Sequence, residues 1–564
     1  MEYIIFLGAI VFFFIVWLIN GMLQEKKRKL RFREKLNHLE GTLPDKKYDP
    51  NHFLFAGQHI NGKQDEFVID DITWNDLSMD DVFKRMDYTY CAAGEEMLYR
   101  LLHKPSFDQK ELAHRREIIR YFSEHKEDRV SLQLLFAAIG RTGKYSIYEY
   151  LEYLEALQVR NNTKDIAVLC AMAVSLGILF VNPGIGAALL FVLILYNFTS
   201  YLKIKGEIGP YITTFSYIGS MLNHVESIVK TDIPVLSDEL SKLKKNADLF
   251  KGFRAGVSLV AKTQGMDGDP TAILFDYICM IFHIDLMKFN KMHKQVTTHH
   301  DELKEMFETI GYIEAMISIA LYRKSLAVYC EPALSKEEPV ALMADAVYHP
   351  LITSPVANSI TCKNGVLLTG SNASGKSTFL KTIAINAILA QTIDTCTANR
   401  YEGAFFRVYS SMSLRDDLMG GDSYFIVEIK AIKRIVDACQ KEDAPVLCFV
   451  DEVLRGTNTV ERIAASTEIL KALQESNAIC FAATHDLELT KLLAQSFDNY
   501  HFEEKLEGND VTFAYQLLEG EATSRNAIEL LRVLGFDSEI IKKAHENARQ
   551  YLERENIWMG VSEV

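Results

Sequence analysis

Apolar residues fall into three patterns along the chain. The first is the uncharged run. Tyr3–Leu23 holds no charged residue, and at helical rise its 21 residues reach about 30 Å, the thickness of a bilayer core. Ile166–Val181 and Ile185–Leu202 form a second and a third run around Asn182-Pro183-Gly184, a turn signal that predicts a helical hairpin. Each arm is short for a crossing, so a buried core hairpin is the competing reading. The second pattern is helical spacing. It begins at Met79 (Val82, Met86, Met97, Leu98, Leu101, Leu102) and is strongest over Asp301–Tyr329, with Leu303, Met306, Phe307, Ile310, Ile313, Met316, Ile317 and Leu321 on one stripe. From about Ala344 a third pattern takes over, in which short apolar runs alternate with helical stretches, an α/β signature.

Charge orients the uncharged runs. Lys26, Lys27, Arg28, Lys29, Arg31, Arg33 and Lys35 follow the first run, against only Glu25 and Glu34. A cleaved signal peptide carries its basic residues ahead of the apolar stretch; here they come after it, which predicts an uncleaved anchor with the N-terminus outside. Arg160 and Lys164 precede the hairpin, and Lys203 and Lys205 follow it. The expectation is three crossings, all large segments in the cytoplasm, and a multi-pass protein of the cytoplasmic (inner) membrane. The 564 residues carry a net charge of −14 and are 48% apolar and 24% charged. That profile excludes a disordered or collagen-like chain and leaves room for three to four folding units. The acidic balance argues against a general polyanion-binding coat, though not against a local basic groove. The nine cysteines form no CxxC pair, which points to a reduced compartment without structural zinc.

Candidate chemistry lies in the α/β region. Gly370-Ser371-Asn372-Ala373-Ser374-Gly375-Lys376-Ser377 matches GxxxxGK[ST]. It is preceded by the apolar strand Val366–Thr369 and followed by a helical run from Ser377 to Thr392 with Leu380, Ile383, Ala384, Ala387 and Ile388 on one face. Glycines let backbone N–H groups approach phosphates, and a helix N-terminus faces the negative charge. Lys376 is placed for the β- and γ-phosphates of ATP and the Ser377 hydroxyl for Mg²⁺. Val446–Val450 ends in Asp451 and Glu452, an acid to hold Mg²⁺ and one to polarise the attacking water. A third apolar run, Ala478–Ala483, ends in Thr484-His485, at the strand edge where α/β ligands bind. Glu452 and His485 are the candidate catalytic residues.

These segments together resemble the MutS family of ATPases. TGSNASGKSTFLKTIAINAILAQ resembles the family's phosphate loop and helix, GGDSYFIVEIKAIKRIVDA (420–438) its signature segment, DEVLRGTNT (451–459) its acidic strand end and ATHDLELTKL (483–492) its histidine switch. GEATSRNAIELLRVLGFDSEIIKKA (520–544) resembles its dimerising helix-turn-helix; MDDVFKRMDYTYCAAGEEMLYRLLHKPSFD (79–108) and FETIGYIEAMISIALY (307–322) resemble parts of its helical core and lever. The resemblance implies that Gly370 through Thr378 bind nucleotide, that Ser423 reaches the partner subunit's nucleotide, and that Tyr515 covers the base; a Tyr merely packed in its strand is the competing reading. Val356 falls where the family stacks an aromatic. Ser371, Ala373 and Ser374 stand where the repair proteins usually carry Pro, Met and Gly, Leu454 replaces a Gly, and Asp422 a basic residue. The family's mismatch-reading domain and the nuclease domain of its second subfamily have no expected counterpart.

The expected organisation is an α/β P-loop (ABC-type) ATPase domain plus an all-α core and lever with three transmembrane helices. Its segments are an anchor (1–23), a basic cytoplasmic linker (24–45), a first core part (46–164), the membrane hairpin (165–202), lever and second core part (203–343), the ATPase domain (344–520) and a dimerisation segment (521–564). The implied activity is Mg-ATP hydrolysis in a homodimer, coupled either to duplex or branched DNA as in mismatch repair, or to a membrane or protein partner without DNA. Basic residues 26–35 fit a contribution to DNA binding or a topology signal resting on anionic lipid, and Lys242, Lys244, Lys245 and Lys251 with Lys288, Lys291, Lys294 and Lys304 fit a DNA-binding stripe or solvated faces.

Overall fold

The computed structural model describes residues 2–49, 53, 66–142, 146–253, 277–336, 341–371, 374–412, 424–441, 444–507, 510–522, 528, 531–532 and 535–559. The chain divides into two compact units. One comprises residues 1–61, 86–100 and 114–325, the other 62–85, 101–113 and 326–564. The segment 46–164, expected as one part of the core, therefore contributes to both.

The first unit is helical. Helix α1, Glu2–Asn37, continues into the expected linker (24–45) and ends within it. Leu36 at its end is buried, and the Phe32 ring meets Tyr90 edge-on. Residues beyond it are strapped down: Tyr88 donates to the Thr42 carbonyl, the fully buried Arg129 pairs with Glu40 at 2.5 Å, and Lys46 and Tyr48 both engage the fully buried Asp87. A buried carboxylate needs this density of partners.

Helix α2, Thr163–Val181, and helix α3, Pro183–Val229, form the expected hairpin. Asn182 caps α3 by accepting the Ile185 amide, with Pro183 in the first turn, the position where proline costs nothing. Among the described residues, two helical stretches are long and apolar enough to cross a membrane, Thr163–Val181 and Pro183–Gly209. Most of the side chains of the third expected crossing, Tyr3–Leu23, lie outside the described residues. Only 11% and 17% of the most apolar stretches in the two hairpin helices are buried, against the competing reading of a core hairpin, whose side chains would be covered. Phe180, Phe191 and Val192 are 90%, 68% and 61% exposed.

Helix α3 has 47 residues and spans about 70 Å. Its first part is the apolar arm. Its second part, with Pro210 inside the helix, is core: Ile212, Phe215, Ile218, Met221, Leu222, Val225 and Ile228 are buried. Phe215 packs on Phe253 and Phe289, and Tyr217 on Phe307. Phe307 belongs to helix α4, His300–Ser325, where all eight residues of the periodic apolar stripe are buried.

The second unit carries two sheets. Strands β1 (Ala333–Ser335), β2 (Leu342–Val347), β3 (Asn358–Cys362) and β5 (Arg400–Ala404) form a four-stranded sheet in the order β1-β5-β2-β3. Strands β4 (Gly365–Thr369), β6 (Arg407–Ser411), β7 (Val446–Asp451), β8 (Ala478–Ala483), β9 (Phe497–Glu507) and β10 (Asp510–Glu519) form a six-stranded sheet in the order β10-β9-β4-β8-β7-β6. All neighbours in it are parallel except β9 and β10. Strands β4 and β8 are buried along their whole length, the property of parallel strands covered on both faces. Helix α5, Lys376–Thr392, has one predicted apolar face, yet from Phe379 onward all but Lys381 are buried. Its buried polar groups are paired: the Asn386 side-chain oxygen accepts the Thr397 amide at 2.7 Å. Segment 62–85 joins this unit, where Asp76 accepts the Ser410 hydroxyl and the Met412 amide. The nine cysteines make no disulfide.

Candidate functional site

The ends of β4, β8 and β7 lie side by side, and each leads into a segment with candidate chemistry. After β4 the backbone turns through Gly370 at φ +132° and enters α5 through Gly375 at φ +106°. Both angles favour glycine. A methyl group on Gly370 would meet the Phe502 carbonyl at 2.7 Å, so the close approach itself excludes a side chain. Ser374 is buried and donates to the Ser371 carbonyl. Asn372 and Ala373 lie outside the described residues, as does Ser423.

Lys376 opens α5 and curls back over the loop. Its Nζ donates to the carbonyls of Gly370 and Ser371, both at 2.7 Å, and lies 3.5 Å from His485 Nε2. Burial pushes its pKa down to about 8, although Asp451 and Glu452 pull it the other way. Ser377 follows, its hydroxyl donating to Asp451 Oδ2 at 2.5 Å. Asp451 ends β7, and its partner in the neighbouring strand is Ala483 of β8. Two hard oxygen ligands thus stand together, the donor type that Mg²⁺ selects.

Glu452 takes a left-handed conformation, φ +56°, directly after the strand. Its amide donates to the Ala483 carbonyl. Its carboxylate meets His485 Nε2 at 2.8 Å and Arg455 Nε at 2.6 Å. The hydrogen bond from His485, reinforced by Arg455, holds the Glu452 carboxyl below the usual range against the opposing effect of burial. Leu454 is left-handed too, φ +60°. This explains the glycine that the family resemblance expects at that position. Such a conformation costs about 1–3 kcal/mol in a non-glycine residue. Leu454 is 6% exposed in the core beneath β7 and β8, and burying a leucine contributes about 1.5–3 kcal/mol, enough to offset the strain.

His485 is fixed by its neighbours. The Thr484 amide donates to the Leu368 carbonyl, Asp486 accepts a bidentate pair from Arg462 at 2.8 and 2.7 Å, and the Asp486 amide donates back to the Thr484 hydroxyl. Arg462 sits on the helix Thr459–Gln474, so this helix holds the histidine loop.

A cavity of about 340 Å³ adjoins the loop. Gly375, Thr378, Phe379 and Phe502 line one part of it, and Val356 and Tyr515 another. Tyr515 sits at φ +53° in a bulge of β10 between Phe513 and Leu517. Asn358 clamps that bulge, donating to the Tyr515 carbonyl at 3.0 Å and accepting the Leu517 amide at 2.8 Å. The bulge re-aims the ring: a methyl group on Gly375 would meet Tyr515 at 3.1 Å. Ile352 and His349 also face the cavity, and burial lowers His349 to about 4, so it is neutral near pH 7.

Two residues here, Asn358 and Glu504, carry no signal in the sequence. Glu504 of β9 is 8% exposed, and its carboxylate accepts the Ser371 hydroxyl at 2.5 Å. It places negative charge against the candidate phosphate loop.

Strand order, crevice and loop define an α/β domain with a ligand crevice along the carboxyl ends of its parallel strands. Residues 366–552 match the family model for MutS domain V. The DNA mismatch repair protein MutS of Thermus thermophilus is 33% identical over 201 residues, 35% of this chain and 24% of that protein. The MutS of Thermotoga maritima is 30% identical over 268 residues (46% and 33%), and that of Methanosarcina mazei 28% over 284 residues (48% and 31%). The similarity to the MutS family is carried by this domain. The matched region spans about a quarter to a third of the length of those relatives.

Proposed function

We propose that the chain is a membrane-anchored MutS-like ATPase that binds and hydrolyses Mg-ATP as a homodimer and couples the cycle to a change of conformation. The observation that carries this reading is the convergence of Ser377 on Asp451 and of His485 on Glu452 beside the Gly370–Lys376 loop. The loop amides and Lys376 would bind the phosphates, and Ser377 with Asp451 would hold Mg²⁺. Bound there, the cation would neutralise charge on the phosphates. Glu452, kept ionised by His485 and Arg455, would polarise the attacking water. Tyr515 would cover the base. Ser423 would complete the partner's site, making the site composite. The three crossings, with the N-terminus outside and the ATPase domain cytoplasmic, belong to the same reading.

The activity acts on duplex or branched DNA in the manner that the relatives' names imply. A second reading, a mechanochemical module working on the membrane or a protein partner, is favoured by a specific observation: the exposed apolar arm and the buried core share one helix, α3. The test is Mg-dependent hydrolysis by the purified, detergent-solubilised chain, with homoduplex, mismatched and branched DNA at two salt concentrations. Stimulation by DNA supports the first reading. Hydrolysis with no DNA binding at low salt leaves the second. Failure to retain any nucleotide with magnesium overturns both.

Two side chains tune the site. Glu504→Gln is expected to tighten ATP binding about three- to tenfold, because it removes a buried negative charge from beside the phosphates. Equal affinities by calorimetry would remove that role. Asn358→Ala should weaken ATP binding several-fold by releasing the bulge that aims Tyr515, since an aromatic contact contributes about 0.5–1.5 kcal/mol. Inorganic triphosphate, which has no base, should bind the Asn358 variant and the parent alike.

A further inference from the structure

We propose that the cavity at the foot of the apolar hairpin binds the phosphate headgroup of an anionic phospholipid. The inference rests on the reading that the hairpin lies in a bilayer. The cavity has a volume of about 830 Å³, within the range of sites that enclose small ligands. Its walls come from α3, from the segment around Tyr153–Arg160, and from the helix Ile284–Thr298.

Its position on α3 is informative. Leu189, Phe191, Val192 and Leu195, on the arm just before it, are 44–68% exposed. Ile204, Ile208 and Ile212, within and after it, are buried. Tyr196 to Lys203 therefore marks the level where an apolar surface gives way to a packed core, the depth of a membrane–water interface. The side chains match that depth: Tyr153 and Tyr196 are amphipathic rings, more than half exposed, and Arg160 and Lys203 are exposed cations.

The cations are available. No ion pair among the described residues engages Lys203. Arg160 has one, to Glu207 at 3.9 Å, the outer limit of such a contact. Glu207 is the one carboxylate in the lining, against two cations. Ser200 adds a hydroxyl with no hydrogen bond among the described residues. Basic pockets between membrane helices on the cytoplasmic side bind anionic headgroups, and the topology predicted from charge puts this end of the hairpin there. A free phosphate ester would satisfy the cations equally. The apolar wall and its continuity with the exposed arm select a ligand with an acyl chain.

The test uses the full-length chain in nanodiscs of phosphatidylcholine with phosphatidylglycerol, bound lipid being read by native mass spectrometry. Preferential retention of phosphatidylglycerol is expected. A double variant, Arg160→Gln with Lys203→Gln, should lose that preference by roughly 25-fold, about fivefold for each cation. Arg160→Lys with Lys203→Arg should keep it, and Lys242→Gln with Lys244→Gln, exposed on another helix, should leave it unchanged. Equal retention of the two lipids, or no effect of the first pair, overturns the proposal. So does competition by soluble glycerol 3-phosphate as strong as that by the lipid, which would make this an anion site alone. Alkaline carbonate washing of membranes separates the two levels of failure. Release of the chain sinks the membrane reading and this inference together, while retention without lipid preference sinks only the inference.

Discussion

Glu452→Gln is expected to lower ATP turnover at least about 100-fold, the lower end of what a positioned acid or base contributes, while leaving nucleotide binding within a few-fold of the parent. Glutamine keeps the size of the side chain, and its single oxygen can still accept from one of His485 and Arg455, which meet different oxygens of the carboxylate. It loses the charge that polarises water. The left-handed backbone at 452 remains as strained as before, so the fold should survive. Single-turnover hydrolysis and equilibrium nucleotide binding, measured on one preparation, separate the two effects. Turnover at the parental rate would remove Glu452 from the chemistry and shift attention to His485, its partner at 2.8 Å.

Lys376→Ala should abolish retention of ATP. The ammonium group is buried, and truncating one partner of a buried charge-assisted contact typically costs about 2–5 kcal/mol, or roughly 30- to 5,000-fold in affinity. Two effects combine, because the lysine also ties the carbonyls of Gly370 and Ser371. A thermal melt of the variant without nucleotide distinguishes loss of the ligand contact from loss of the loop.

The pKa of about 8 adds a pH signature. Below that value Lys376 is already protonated and binding an anion leaves it so. Above it the free site has lost part of the charge, and the anion restores it, so ATP binding takes up protons between the free pKa and the higher one in the complex. Calorimetry at pH 8.5 in buffers of different ionisation enthalpy should show that uptake. At pH 6.5 this group should contribute none.

The residues legible from sequence are those whose placement is local. Gly370, Gly375, Lys376 and Ser377 form one contiguous motif at a strand–helix junction. Asp451, Glu452 and His485 each end an apolar run, so their place at a strand edge could be read without knowing the sheet order. Glu504 could not be read this way, because it reaches Ser371 only through the pairing of β9 with β4, across 133 residues of sequence. Asn358 is equally silent: an asparagine at the start of a short strand is a common sight, and its grip on the β10 bulge depends on the register of two distant strands. Leu454 sits between these cases. Its departure from a glycine was visible, but the left-handed backbone there and the burial that offsets it are tertiary facts. The long apolar helix His300–Ser325 was legible because its period is strong. That residues 62–85 would join the α/β unit was not, because hydrogen bonds such as those of Asp76 to Ser410 and Met412 leave no periodic trace.

The proline inside α3 sets where that 47-residue rod is softest. Pro210 has no amide hydrogen to offer the carbonyl of Gly206 one turn earlier. At Gly206 and Gly209, apart from the chain neighbours and the helix's own backbone, no atom among the described residues lies within 4 Å of where a β-carbon would stand. The helix therefore lacks one backbone hydrogen bond near the start of its packed part, after the buried Ile204 and Ile208. A change of tilt between the two parts of the helix would meet the least backbone resistance at that missing hydrogen bond.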